Sequence, residues 1–145
     1  MDDDIIAWLL GGDPAIRWRT RRDLLDEPPE RFEPDRAEVE TSGWGRRLLS
    51  LQDPDGTWGG GLYSPKWTST TYSLLLLRHL GLGRGNAAAL RGVERIWDGA
   101  RYFGDGLTCA VSIDFPEACV TSMYVTLARC FGFVDDRVDA AIDWL

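Results

Sequence analysis

The chain has 145 residues, 44% of them hydrophobic, which is enough apolar surface for one ordinary core, so a single domain or a piece of a larger one is expected rather than two cores. Sixteen Lys plus Arg against 23 Asp plus Glu leave a net charge of -7, which repels phosphate backbones and anionic bilayers and excludes nucleic acid as the expected partner. The start Met1-Asp2-Asp3-Asp4 is acidic where a secretory leader is basic, and the apolar run after it stops at Gly11, so neither an export signal nor a membrane span is expected. Cys109, Cys119 and Cys130 form neither an even set nor a Cys-x-x-Cys pair, so reduced, mostly buried thiols in a cytoplasmic protein are the expectation.

Asp13 before Pro14 is an N-cap with proline at the first helical position, and Ile16, Trp18, Leu24 and Leu25 decorate a helix that must stop before Pro28-Pro29. A short polar helix is expected from Pro34. Trp44, Leu48 and Leu51 recur at i, i+4 and i+7, an apolar stripe on a helix that the turn Asp53-Pro54-Asp55-Gly56 ends. After the flexible Gly59-Gly60-Gly61, the stretch from Trp67 to Leu80 predicts a helix, apolar on every side at Leu74 to Leu77 and therefore inner and buried; Gly81-Leu82 stops it. Asn86 caps the next helix, whose Leu90, Val93, Ile96 and Trp97 form one stripe suited to an outer position.

The chain also resembles itself. Thr70-Thr71-Tyr72-Ser73-Leu74 through Gly81-Leu82 realigns with Thr121-Ser122-Met123-Tyr124-Val125 through Gly132-Phe133 at an offset of 51, Asp55-Gly56 with Asp105-Gly106 at 50, and Gly92-Val93-Glu94 with Ala141-Ile142-Asp143 at 49. The period predicts a helical-pair repeat of about 50 residues. In the second copy Tyr102 stands near the place of Gln52 and Thr108 opposite Trp58, and the run from Leu107 to Ile113 also suits a short strand. The expected organisation is one all-α domain over 1-145, with N-terminal helices at 1-42, a first repeat at 43-96, and a second repeat with the start of a third at 97-145. Because each helical pair leaves a flank that the next covers, the ending Ala140-Ala141-Ile142-Asp143-Trp144-Leu145 leaves two expectations: the N-terminal portion of a longer ring, or a homodimer joined through that end.

An amide at the last turn of a helix can bridge an orphan carbonyl to a neighbouring helix's free N–H, and an indole beside it excludes water. Arg47-Leu48-Leu49-Ser50-Leu51-Gln52 followed by Asp55-Gly56-Thr57-Trp58 resembles the glutamine-tryptophan repeat of squalene and oxidosqualene cyclases, shared with the wider prenyltransferase repeat superfamily. Asp13-Pro14-Ala15-Ile16-Arg17-Trp18 and Glu117-Ala118-Cys119-Val120-Thr121-Ser122-Met123 are similar to uncharacterised bacterial squalene-cyclase-like proteins. The resemblance covers most of the chain and implies an α/α toroid, its inner and outer helices alternating around a cavity for an isoprenoid-like or other hydrophobic molecule. It implies no catalytic residue here. The cyclases protonate squalene with an Asp-x-Asp-Asp string that is absent, and the related prenyltransferases hold zinc with an Asp, a Cys and a His, whereas this chain offers a single histidine, His79, at the far end of an inner helix. No cofactor is named.

Asp135-Asp136-Arg137-Val138-Asp139 fits the Asp-Asp-x-x-Asp string by which class I terpene synthases hold magnesium and a diphosphate, yet it opens a helix, where Asp135, Asp136 and Asp139 also serve as cap and dipole partners. Arg17, Arg19, Arg21 and Arg22 can grip an anion or pair with Asp13, Asp23 and Asp26. Asp114, Glu117 and Cys119 precede or begin the second inner helix, as Trp67 and Thr68 do the first, and inner-helix starts face one rim of a toroid's cavity. With Tyr72 and Tyr124 these are the cavity candidates. Trp8, Trp18, Trp44, Trp97 and Trp144 sit on helix stripes and are expected to pack between layers. The function expected is hydrophobic-ligand binding in a terpene-cyclase-like or prenyltransferase-like toroid, with a non-catalytic lipid-binding or protein-interaction solenoid as the alternative.

Overall fold

The structure, a computed structural model, describes residues 3-145, so the first two residues of the acidic start lie outside the described residues. The fold is mostly helical, with one short hairpin. Among the described residues no helix is long and apolar enough to cross a membrane. Among the described residues, 3-51 together with Leu77–Gly83 form one compact unit, and Gln52–Leu76 with Arg84–Leu145 forms another.

In the first unit, α1 (Asp3–Leu10) leads into α2 (Pro14–Arg19), which starts as the sequence predicts: Asp13 accepts the Ala15 N–H at 2.9 Å, and Pro14 needs no donor at that position. A π-helical turn, Thr20–Leu24, extends α2 and ends before Pro28. The next helix, α3 (Pro29–Ala37), begins five residues ahead of Pro34. Pro28 caps it and Pro29 takes the first helical position, so the two prolines expected only to end one helix also start another; Pro34 sits inside at the loss of one backbone donor. A 3-10 turn, Glu38–Glu40, precedes α4 (Gly43–Leu49).

Trp18, 4% exposed, anchors this unit's core with Ala15, Val39 and Leu80, and Phe32 packs against it. Its indole N–H donates to the Leu80 carbonyl at 2.8 Å, satisfying an orphan acceptor at the end of α5 (Thr70–Leu80). Close approach requires glycine next door: a Cβ on Gly81 would lie 2.6 Å from that indole nitrogen, and Gly81 has φ +102°.

The stripe of Trp44, Leu48 and Leu51 is not the buried side of α4. Trp44 is 53% exposed and Leu51 60%, because Gly45 is the residue turned inward, its backbone set directly against Val39. Trp8 is also exposed, on a helix that buries none of its side chains, and Trp144 is partly so. Of the five tryptophans expected between layers, only Trp18 and Trp97 are buried.

In the second unit, Gln52 lies just beyond α4 and ties the turn after it to α6 (Ala87–Gly99). Its Nε2 donates to Gly56 O at 2.9 Å and to Ala88 O at 2.8 Å, while Oε1 accepts from Arg91 at 2.8 Å. The amide thus serves carbonyls with its nitrogen and a guanidinium with its oxygen, where the sequence suggested a bridge to a backbone N–H. Trp58 is 1% exposed. Asn86 caps α6 as expected, and Val93, Ile96 and Trp97 form its buried stripe.

α5 begins at Thr70 rather than Trp67, and Leu76 is 49% exposed, so its leucine run is covered on one side and not all round. The strand expected after residue 107 is shorter than supposed and has a partner: β1 (Arg101–Phe103) pairs antiparallel with β2 (Gly106–Thr108), Tyr102 opposite Leu107. Two further helices, α7 (Ala118–Phe131) and α8 (Asp136–Trp144), complete the unit.

Local geometry recurs at the sequence offset. Thr70 Oγ1 accepts from Trp58 N at 3.0 Å and donates to Gly61 O at 2.7 Å; Thr121 Oγ1 accepts from Leu107 N and donates to Leu107 O, both at 3.1 Å. At the other ends, the Leu82 N–H bonds Leu77 O and the Phe133 N–H bonds Ala128 O, each after a left-handed glycine, Gly81 or Gly132. Asn86 and Asp135 cap the helices that follow.

Candidate ligand-binding site

The first turn of α5 and the loop before it gather aromatic rings. Trp67 and Tyr72 have ring centroids 5.2 Å apart, and Tyr72 and Tyr63 5.6 Å, both pairs tilted. Trp67 is 74% exposed and holds φ +76°, a left-handed conformation costly for a bulky residue. The Lys66 ammonium lies 5.4 Å from its ring centroid. The backbone of this loop is tied to the helix, since Thr70 N and Thr71 N donate to Gly61 O and Leu62 O at 3.0 and 2.9 Å.

Beneath the rings runs a chain of hydroxyls. Thr71 Oγ1 donates to Leu62 O at 2.7 Å and lies 3.3 Å from the hydroxyl of fully buried Tyr124, beside which lies the Cys109 thiol. Burial pushes the Tyr124 phenol strongly up and the Cys109 thiol up as well, so both stay protonated and neutral at physiological pH. Tyr63 is pushed up to about 12, first by its hydrogen bond to Tyr72, then by burial, with the Glu117 carboxylate adding a smaller repulsion. Ser69 Oγ is buried at the same helix start and has no partner among the described residues.

Of the cavity candidates, the structure brings Trp67 and Tyr72 into contact and places Tyr124 under the same helix start through Thr71. Glu117 accepts from Thr108 Oγ1 at 2.8 Å, which braces the start of α7 against β2. Thr68 and Cys119 are exposed, and Cys109 and Cys130 only half-buried, so the thiols are less covered than their number suggested. Asp114 stands apart from the rings, 89% exposed and 3.1 Å from Arg101. Tyr63, Thr71 and Cys109 are not among the cavity candidates that the sequence points to. Tyr63 offered the clearest signal, an aromatic in the loop that delivers Trp67, but no spacing rule links a loop residue to a helical one.

The repeat-motif residues are structural. Gln52 and Trp58 join turn to helix as described, Asp55 Oδ1 accepts from the backbone and hydroxyl of Thr57 at 2.9 and 2.8 Å, and Gly56 takes φ +91°. Those hydrogen bonds hold Asp55 below the usual carboxylate range. Tyr102, near the Gln52 place in the second copy, also serves a helix end, its hydroxyl donating to Trp97 O at 2.6 Å.

Asp135 caps α8 through Arg137 N at 2.9 Å and binds the Arg137 guanidinium at 2.7 Å, which lowers its pKa, and Asp139 pairs with Arg129 at 2.5 Å. Asp136 lies in the first turn between them. Two of the three carboxylates of the magnesium-type string are therefore held by arginines. The arginine cluster is likewise committed, though not chiefly to the acids nearest in sequence. Asp35 receives Arg17 at 2.8 Å and Arg21 at 2.7 Å, Glu38 also binds Arg17, and Glu27 binds Arg21 at 3.1 Å; only Arg22 uses a nearby acid, Asp23. Arg19 donates to His79 O, and Asp13 spends its second oxygen on Trp44 N at 2.8 Å.

What the ring cluster offers chemically is aromatic surface and neutral hydroxyls, with a cation at its edge. Comparison with protein-family models, with curated proteins and with solved structures finds no match to this chain.

Proposed function

We propose that the protein is part of a squalene-cyclase-like or prenyltransferase-like α/α toroid, cytoplasmic, that binds a hydrophobic, isoprenoid-like molecule over the Tyr63, Trp67 and Tyr72 rings. The observation that carries this reading is the exposed Trp67 indole, held in a left-handed backbone conformation and set against Tyr72. Strain of that kind at an exposed bulky side chain is characteristic of sites selected for something other than stability. The recurrence of the Thr70 and Thr121 hydroxyl bonds and of the Gly81 and Gly132 stops at one offset supports a helical-pair repeat, the unit from which a toroid is built.

Binding is favoured over catalysis. An olefin-protonating acid must be a proton donor near neutral pH, and the hydroxyls and thiol beneath the rings hold their protons too firmly for that. Tryptophan fluorescence during titration with farnesol and with farnesyl diphosphate tests the reading. Saturable quenching is expected, weakened at least about tenfold, or 1.4 kcal/mol, by Trp67→Ala and by Tyr72→Ala. Equal affinity in both variants refutes it.

A further inference from the structure

A concavity lies wholly within the first unit. It measures about 420 Å³, inside the range of small-molecule sites, and is walled by Trp8, Leu9, Ile16 and Trp44 over a floor of Gly11, Gly12 and Asp13. Trp8 is 75% exposed and Trp44 53%, so two indoles stand open at the edges of one groove. Asp13 is the one charged side chain among these lining residues. Its oxygens accept the Ala15 and Trp44 backbone N–H groups at 2.9 and 2.8 Å; both donors are neutral, so they hold the carboxylate in place without neutralising it. Gly43 permits this approach, since a Cβ there would stand 2.1 Å from Asp13 Oδ2. The Arg17 guanidinium reaches the Gly12 carbonyl at 3.2 Å and is paired with Asp35 and Glu38.

We propose that this groove binds a small organic ammonium ion carrying apolar substituents, of the quaternary type. Indole faces attract such cations through the ring quadrupole, and the aliphatic walls accept the methyl groups. The fixed Asp13 carboxylate supplies the counter-charge. An anionic or merely apolar occupant uses only part of these features. The inference stands independently of the isoprenoid reading, because it rests on other residues and another chemistry.

Choline and its neutral carbon isostere, 3,3-dimethylbutan-1-ol, separate the alternatives when each is titrated while the indole N–H signals are followed by NMR. Choline is expected to shift the Trp8 and Trp44 signals saturably and to bind at least about tenfold more tightly than the alcohol. Asp13→Asn, which keeps a cap acceptor, should weaken choline about tenfold; Trp8→Ala, on a helix with no buried side chain, should abolish the saturable shift with the circular dichroism unchanged. Absence of saturable choline binding, equal affinity for the alcohol, or unaltered binding in Trp8→Ala overturns the proposal.

Discussion

The indole of Trp58 occupies the space in which a side chain on Gly92 would begin: a Cβ on Gly92 would lie 2.7 Å from Trp58 Cζ3 and 3.3 Å from Leu74 Cδ1. A mid-helix glycine is thereby explained by packing rather than by backbone conformation. In Gly92→Ala the alanine gains about 1 kcal/mol of helix propensity. Overpacking a rigid, buried indole costs more, about 1–3 kcal/mol, so net destabilisation in urea unfolding is expected. A variant as stable as the parent would show that Trp58 can move aside.

Gln52→Ala removes the donors to Gly56 O and Ala88 O and leaves Arg91 without its amide acceptor. Each of the two part-buried bonds to carbonyls contributes about 0.5–1.5 kcal/mol and the exposed one from Arg91 adds little, so a loss of roughly 1–3 kcal/mol is expected on denaturant unfolding. Trp58→Ala should cost more, about 3–5 kcal/mol, because it opens a cavity where the amide only frees polar groups. Reversed magnitudes would mean that the hydrogen bonds and not the indole hold the junction.

Thr121→Val replaces a hydroxyl that serves both the N–H and the carbonyl of Leu107 with a methyl of the same size. Stranding the Leu107 N–H should cost about 1–3 kcal/mol, and Thr70→Val should cost a similar amount at Trp58 N, while the Leu107 and Gly61 carbonyls keep their bonds from Glu117 N and Thr70 N. Thermal unfolding of the two variants provides the comparison. A large effect at one threonine and none at the other would break the structural equivalence of the two copies.

Asp35 is partly desolvated, which by itself raises its pKa, but the hydrogen bonds from Arg17 and Arg21 outweigh that and hold it below the ordinary carboxylate value. A depressed folded-state pKa contributes stability that is present above the unfolded value, near about 4, and is lost as pH falls through the folded one. Asp35→Asn is therefore expected to be less stable than the parent at pH 7, with the gap closing below about pH 4. A gap that stays constant down to pH 2 would assign the loss to packing instead.

Tyr63 presents the opposite sign. Its proton is retained up to about 12, chiefly through the bond to Tyr72, so the stabilisation is intact below the unfolded value and is lost as pH rises through about 12. Tyr72→Phe should move the Tyr63 titration back toward about 10, read from the tyrosine ring signals by NMR. An unmoved titration would locate the cause in burial.

Chain-local features were legible from the residues alone. The caps at Asp13, Asn86 and Asp135 and the stops at Gly81 and Gly132 need only a short polar side chain or a left-handed residue at the correct step, and the match between Thr70 and Thr121 survives as a shared pattern of hydrogen bonds. Such features are written within a few residues because their partners lie within a few residues. Which side of a helix is covered is another matter. The stripe through Trp44 has the right period and faces water because Gly45 meets Val39, and Arg17 and Arg21 pass over nearer acids for Asp35 because α3 folds back beside α2. The meeting of Tyr63 with Tyr72, and of Thr71 with Tyr124, likewise joins residues from separate elements. Periodicity states that a face is apolar, but its occupant comes from elsewhere in the chain, so the site could be assembled only once the helices were packed.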